Sequence, residues 1–107
     1  MKHARLKQIE RQIEKIKKEL LQVGEMRPGS LTKQYRNPTD KKWGFYQLSY
    51  TYKMKSKTEY VRPQRLADLR IQVNTYKKFK SLIEKWVDLA MEHSKLKMDI
   101  ANRDQLK

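Results

Sequence analysis

Ten lysines and arginines fall between residues 27 and 65: Arg27, Lys33, Arg36, Lys41, Lys42, Lys53, Lys55, Lys57, Arg62 and Arg65. In the same interval they are opposed only by Asp40 and Glu59. Tyr35, Trp43, Tyr46, Tyr50, Tyr52 and Tyr60 are interleaved with them. Cations at this density suit phosphate, because each contact releases condensed counterions, and rings between them can stack on exposed bases or lie against sugars. The segment holds +8 of the chain's +14, whereas residues 1–26 and 66–107 hold +3 each. That localisation favours nucleic acid over acidic lipid or an acidic protein as the counterpart of the basic surface.

Two contact groups stand out. Arg27, Ser30, Lys33 and Arg36 surround Pro28-Gly29, a turn that presents backbone N–H groups to an anion. The same residues read equally well as a helix stop whose arginines pair with helix carboxylates. Lys53, Lys55 and Lys57, beside Ser49 and Thr51, form a lysine-rich tip suited to a groove or a backbone. Arg62 and Arg65 follow it. Trp43 and Tyr35 are the expected exposed aromatics, since neither fits a regular apolar row.

Other chemistries find little support. Without cysteine there is no disulfide framework and no thiolate metal site, and His3 and His93 are too distant in sequence for a local ligand pair. Three glycines do not make a nucleotide-hydrolase phosphate loop, and no carboxylate pair lies in an apolar setting fit for acid–base work. We therefore expect no enzyme, no metal and no cofactor.

The elements that must position the cations follow from periodicity. With 107 residues, 37% hydrophobic and 36% charged, the chain suits one small domain built on helices with narrow apolar seams. Leu6, Ile9, Ile13, Ile16, Leu20 and Val23 recur in steps of three and four, which predicts a helix over 1–25 that Gly24 and Pro28-Gly29 terminate. Residues 26–43 lack periodicity and read as a basic loop. Tyr46, Leu48, Tyr50, Tyr52 and Met54 then alternate with polar neighbours, and Thr58–Arg62 returns after Lys55-Ser56-Lys57. This predicts a two-stranded β-hairpin over 44–62 with the even-numbered row as core.

Pro63 opens a long helix over 63–105. Its apolar positions Leu66, Leu69, Val73 and Tyr76 slip phase before the seam Phe79, Leu82, Trp86, Leu89, His93, Leu96 and Ile100, so two packing partners are expected. The first is the hairpin and the second the amino-terminal helix. The interface of an antiparallel coiled-coil hairpin would then be Leu6, Ile9, Ile13, Ile16 and Leu20 against Phe79, Leu82, Trp86, Leu89 and Leu96. Ile83, Val87 and Ala90 widen the stripe enough for a four-helix dimer. The expected class is α+β.

Met26-Arg27-Pro28-Gly29-Ser30-Leu31, Gln34-Tyr35-Arg36 and Gly44-Phe45-Tyr46-Gln47-Leu48-Ser49-Tyr50-Thr51 resemble the motifs of a family of small uncharacterised prokaryotic proteins whose genes often lie near transposases. Many relatives carry a cysteine cluster where this chain has Asn37-Pro38-Thr39-Asp40-Lys41-Lys42-Trp43, so a zinc-stabilised loop does not carry over. The resemblance implies an association with mobile elements and nucleic acid. From it and the charge pattern we expect a non-enzymatic accessory protein, cytoplasmic in a prokaryote, bound to DNA or RNA. A second copy of the chain, or a larger recombinase or nuclease docked on the apolar seam, are the expected protein partners. No run reaches the roughly 18 apolar residues of a membrane span.

Overall fold

The computed structural model describes residues 2–37, 39 and 42–105, and only the backbone at Asn37, Lys42, Trp43, Asp104 and Gln105. The order is α1 (Lys2–Leu21), β1 (Ser30–Asn37), β2 (Lys42–Tyr52), β3 (Lys55–Val61), a 3₁₀ turn (Pro63–Arg65) and α2 (Leu66–Gln105). The protein is α+β: an amino-terminal helix, a three-stranded antiparallel sheet and a long carboxy-terminal helix.

Two expectations are corrected. The sheet has three strands in the order β1-β2-β3, not two, and much of the segment expected as a basic loop over 26–43 is strand β1. Leu31 lies opposite Leu48, Lys33 opposite Tyr46 and Tyr35 opposite Gly44. A lysine in the middle of the inward row hides the period-two signal of β1 from the sequence. The reversal between β2 and β3 also moves, from Lys55-Ser56-Lys57 to Lys53-Met54, and β3 begins at Lys55.

Lys53 and Met54 have φ of 52° and 65°. Paired left-handed residues make the two-residue turn whose twist matches a hairpin, a place where Asn-Gly is the usual sequence. Side chains with a Cβ are strained there. Met54→Gly is therefore expected to stabilise the fold by about 0.5–1 kcal/mol, read as a rise of a few degrees in thermal melting; an unchanged or lowered midpoint would count against the strained turn.

By contacts the chain forms two compact units, Met1–Val23 with Phe79–Lys107, and Gly24–Lys78. In the second, Leu48 is fully buried and packs with Val61, Leu69 and Val73, and Leu31, Tyr46, Tyr50 and Leu66 close around it. The early phase of α2 thus covers one face of the sheet, as its spacing predicts. The even-numbered row is core only in part: Tyr52 and Met54 are 61% and 98% exposed, because they lie beyond the stretch that the helix covers. Gly29, at φ 140°, allows close approach to this core. A Cβ there would sit 2.7 Å from Leu48 Cδ1 and 3.0 Å from the Ser49 carbonyl oxygen.

In the first unit Ile9, Ile16 and Leu82 are buried, and Leu6, Ile13, Leu20, Phe79, Trp86, Leu89 and Leu96 are half-buried. Arg5 grips Glu92 with two bonds, Nε to Oε2 at 2.6 Å and Nη2 to Oε1 at 2.8 Å, which holds the Glu92 carboxyl below the usual carboxylate range. Lys2 pairs with Asp99 at 3.4 Å, His93 Nε2 meets Glu10 Oε1 at 3.1 Å, and Lys17 Nζ lies 5.5 Å from the Trp86 ring centre. His93 is thus a polar seam residue with a carboxylate partner. α1 ends at Leu21, and amides of Gln22 and Val23 close the last turn onto the carbonyls of Glu19 and Leu20. Gly24, expected to terminate this helix, does not take the left-handed conformation of a glycine cap.

Candidate nucleic-acid interface

The cations of residues 27–65 divide by what they touch. Arg27 is occupied: its Nη2 donates to Glu59 Oε2 at 2.6 Å, its guanidinium lies 5.1 Å from the Tyr50 ring centre, and its amide donates to the Gln72 carbonyl at 3.0 Å. The Tyr50 hydroxyl donates to the other Glu59 oxygen at 2.9 Å. That hydroxyl first, and Arg27 second, hold the Glu59 carboxyl below its ordinary value. Arg27 therefore fastens the segment before β1 to β3 and α2, and it leaves the set of free phosphate ligands. Of the two readings of the Pro28-Gly29 turn, ion pairing describes Arg27, although its acid is on a strand.

Tyr46 makes the second cluster. Lys33 Nζ lies 6.0 Å and the Arg70 guanidinium 5.3 Å from its ring centre, and Arg70 Nη2 donates to its hydroxyl at 3.1 Å. Lys33 also lies 5.5 Å from the Tyr35 ring. Tyr35 is half-buried, with its ring across Gly44, where an added Cβ would meet it at 3.2 Å. It is not the free aromatic that the sequence suggested. Arg70 falls outside the 27–65 interval and was not singled out; the signal available was its place one residue after Leu69, on a helix that covers this sheet.

Lys33, Arg36, Lys53, Lys55, Lys57, Arg62 and Arg65 are exposed, and none makes an ion pair among the described residues. Val61 is opposite Tyr46 and Lys55 opposite Tyr52, so Arg62 follows the end of the sheet that holds Lys33, while Lys53, Lys55 and Lys57 mark the other end. Alternation puts Lys55 and Lys57 on the helix-covered side of the sheet, away from Ser49 and Thr51. The expected grouping of those lysines with those hydroxyls is therefore split across two faces. Ser30 is exposed at the start of β1, on the open face. Lys41, and the side chains of Lys42 and Trp43, lie outside the described residues.

The open face of the sheet carries Ser30, Thr32 and Gln34 from β1, Phe45, Gln47, Ser49 and Thr51 from β2, and Ser56, Thr58 and Tyr60 from β3. Phe45 and Tyr60 form a tilted ring pair at 6.1 Å. Thr51 and Ser56 hydroxyls meet at 2.8 Å, and Ser49 and Thr58 at 3.4 Å. The ring pair was missed in the sequence because only Tyr60 was counted among the rings between the cations; register, which sequence does not give, is what brings Phe45 to it.

No group of three or more potential metal ligands occurs among the described residues, and no described helix is long and apolar enough to cross a membrane. No family model, curated protein or solved structure matches the chain.

Proposed function

We propose that this chain is a non-enzymatic nucleic-acid-binding protein that grips phosphates through the sheet unit. The observation that supports it is the set of seven exposed cations, from Lys33 to Arg65, that make no ion pair among the described residues and lie toward both ends of one small sheet. In the helical unit three cations are held by carboxylates: Arg5 by Glu92, Lys2 by Asp99 and Lys17 by Glu14. Unpaired cations clustered on a scaffold raise the local potential and lose least on meeting phosphate, since no internal pair must break. The resemblance stated for the motifs within residues 26–51 adds to this proposal a role beside a mobile genetic element in a prokaryotic cytoplasm. α1 and the later part of α2 act as an antiparallel coiled-coil hairpin that stiffens the grip.

The test is fluorescence anisotropy of labelled DNA and RNA across a salt series. Log affinity should fall linearly with log salt, and Lys55→Ala with Lys57→Ala should lower the slope by about 2. A flat salt response would overturn the proposal.

A second reading, self-association, is favoured by one specific feature. Ile83, Trp86, Val87, Ala90, Met91 and Ser94 line a shallow, almost wholly apolar groove on α2, and Val87, Met91 and Met98 are 51%, 54% and 62% exposed. These are not the Leu82 and Leu89 positions of the seam, which are buried or half-buried. We propose that a second copy of the chain covers this stripe, giving a dimer. A larger partner protein is the competing occupant.

A further inference from the structure

Among the described strand residues on the open face of the sheet, ten are uncharged and only Arg36, at its edge, carries a charge, in a chain of which 36% is charged. Solvent-facing strands in so basic a protein would ordinarily carry lysine or glutamate. Instead this face offers hydroxyls, two carboxamides and a ring pair, with Arg36 at the outer end of its β1 row and the unpaired lysines and arginines at the ends of the sheet. We propose that this face binds the unpaired bases of single-stranded nucleic acid, with Tyr60 and Phe45 as the stacking platform and Gln34, Gln47 and Thr58 as hydrogen-bonding groups toward base edges. The inference rests on the nucleic-acid reading above and names its substrate class.

Charge complementarity selects the occupant. A ligand suited to this surface is anionic where it meets the rims and neutral, planar and rich in donors and acceptors where it meets the face, which describes a strand with phosphates outside and bases inward. Tyr60 is 62% exposed, although its ring is large and apolar and contacts Phe45. A ring held open in this way gains most from a partner that lies flat on it. A duplex offers no such partner, because its bases are already stacked and paired, and a single arginine at the edge of the face cannot follow a continuous phosphate ridge. A second sheet is a poor fit for a different reason: face-to-face packing requires an apolar inner layer, and among the described residues Phe45 and Tyr60 are the rings on a face otherwise made of Ser, Thr, Gln and Arg36.

The full chain is titrated against four labelled oligonucleotides of equal length: single-stranded DNA, single-stranded RNA, a duplex, and an abasic strand that keeps every phosphate. Base-bearing single strands should bind about tenfold or more tighter than the abasic strand. Tyr60→Ala should remove about tenfold on the base-bearing strands and leave the abasic strand unchanged, whereas Tyr60→Phe should retain most of the affinity. Thr58→Asp, exposed on the same face, is a second variant that should weaken base-bearing strands selectively if the face is used; circular dichroism verifies that both variants fold. The DNA and RNA arms identify which strand is preferred. Equal binding of base-bearing and abasic strands, tightest binding of the duplex, or indifference to Tyr60→Ala would each overturn the inference while leaving the phosphate grip intact. Loss of all binding at near-physiological salt would overturn both.

Discussion

Leu48→Ala is expected to destabilise the sheet unit by about 3–5 kcal/mol. Leu48 has no exposed surface and sits in the central strand, where it meets Val61, Leu69 and Val73. Truncation removes the transfer free energy of the lost carbons and leaves a void that neighbours on a paired strand and a helix cannot readily fill. Natural domains of this size hold only about 5–15 kcal/mol in total, and this one has few buried residues to share the loss. Urea titration followed by tyrosine near-ultraviolet dichroism reads the effect. Ile71→Ala is the control: Ile71 is 64% exposed on the same helix, and the change should stay within about 0.5 kcal/mol of the parent. If Leu48→Ala costs no more than Ile71→Ala, the core has been placed wrongly. Gly29→Ala tests the same core from outside it, since the new methyl would collide with Leu48 at a backbone angle that disfavours any side chain.

How much of this was legible depends on whether a feature is local. The two phases of α2 could be read directly, because helical periodicity is set by neighbours three and four residues away: Leu69 and Val73 do pack on the sheet, and Leu82 and Leu96 do lie inward. Strand β1 could not. Its inward row is Leu31, Lys33 and Tyr35, and the lysine is tolerated there because its ammonium reaches the Tyr35 and Tyr46 rings rather than the core. No local pattern announces a cation–ring contact with a strand 13 positions away. The turn was misplaced for a related reason, since Lys53-Met54 has neither the glycine nor the asparagine that its φ angles favour.

For the site, charge density located the right segment but not its division of labour. Arg27 and Lys55 look alike in sequence, yet the first is fastened to Glu59 and the second makes no ion pair among the described residues, a distinction made by the β2–β3 register that sets Glu59 beside Leu48 and Lys55 beside Tyr52. Register likewise created the open face, uncharged among its described residues except at Arg36. Sequence alternation shows that Ser49 and Thr51 share a side, but only pairing shows that Thr58 and Ser56 join them.

The α2 stripe makes the second large prediction. Apart from Trp86, which mirrors Lys95, its residues pair about a point between Ala90 and Met91: Ile83 maps to Met98, Val87 to Ser94 and Ala90 to Met91. A twofold axis through that point would lay two antiparallel copies of the stripe together, each residue meeting its counterpart reciprocally, as a self-complementary interface requires. Glu84 and Lys95 lie on the same flank, about 20° apart at 100° per residue. In an antiparallel pair like flanks face each other, so Glu84 of each copy meets Lys95 of the other. Val87→Asp should therefore raise the dimer dissociation constant about 10²-fold or more, because an unpaired charge would be buried at the centre of the contact. The single chain should keep its helix content, since Val87 is 51% exposed within it. Charge exchange tests the register itself. Glu84→Lys and Lys95→Glu should each weaken the dimer in sedimentation equilibrium, and the double exchange should restore it. Additive weakening by the two would exclude the antiparallel register, and a parent chain that sediments as a monomer at high concentration would leave the stripe to a different protein.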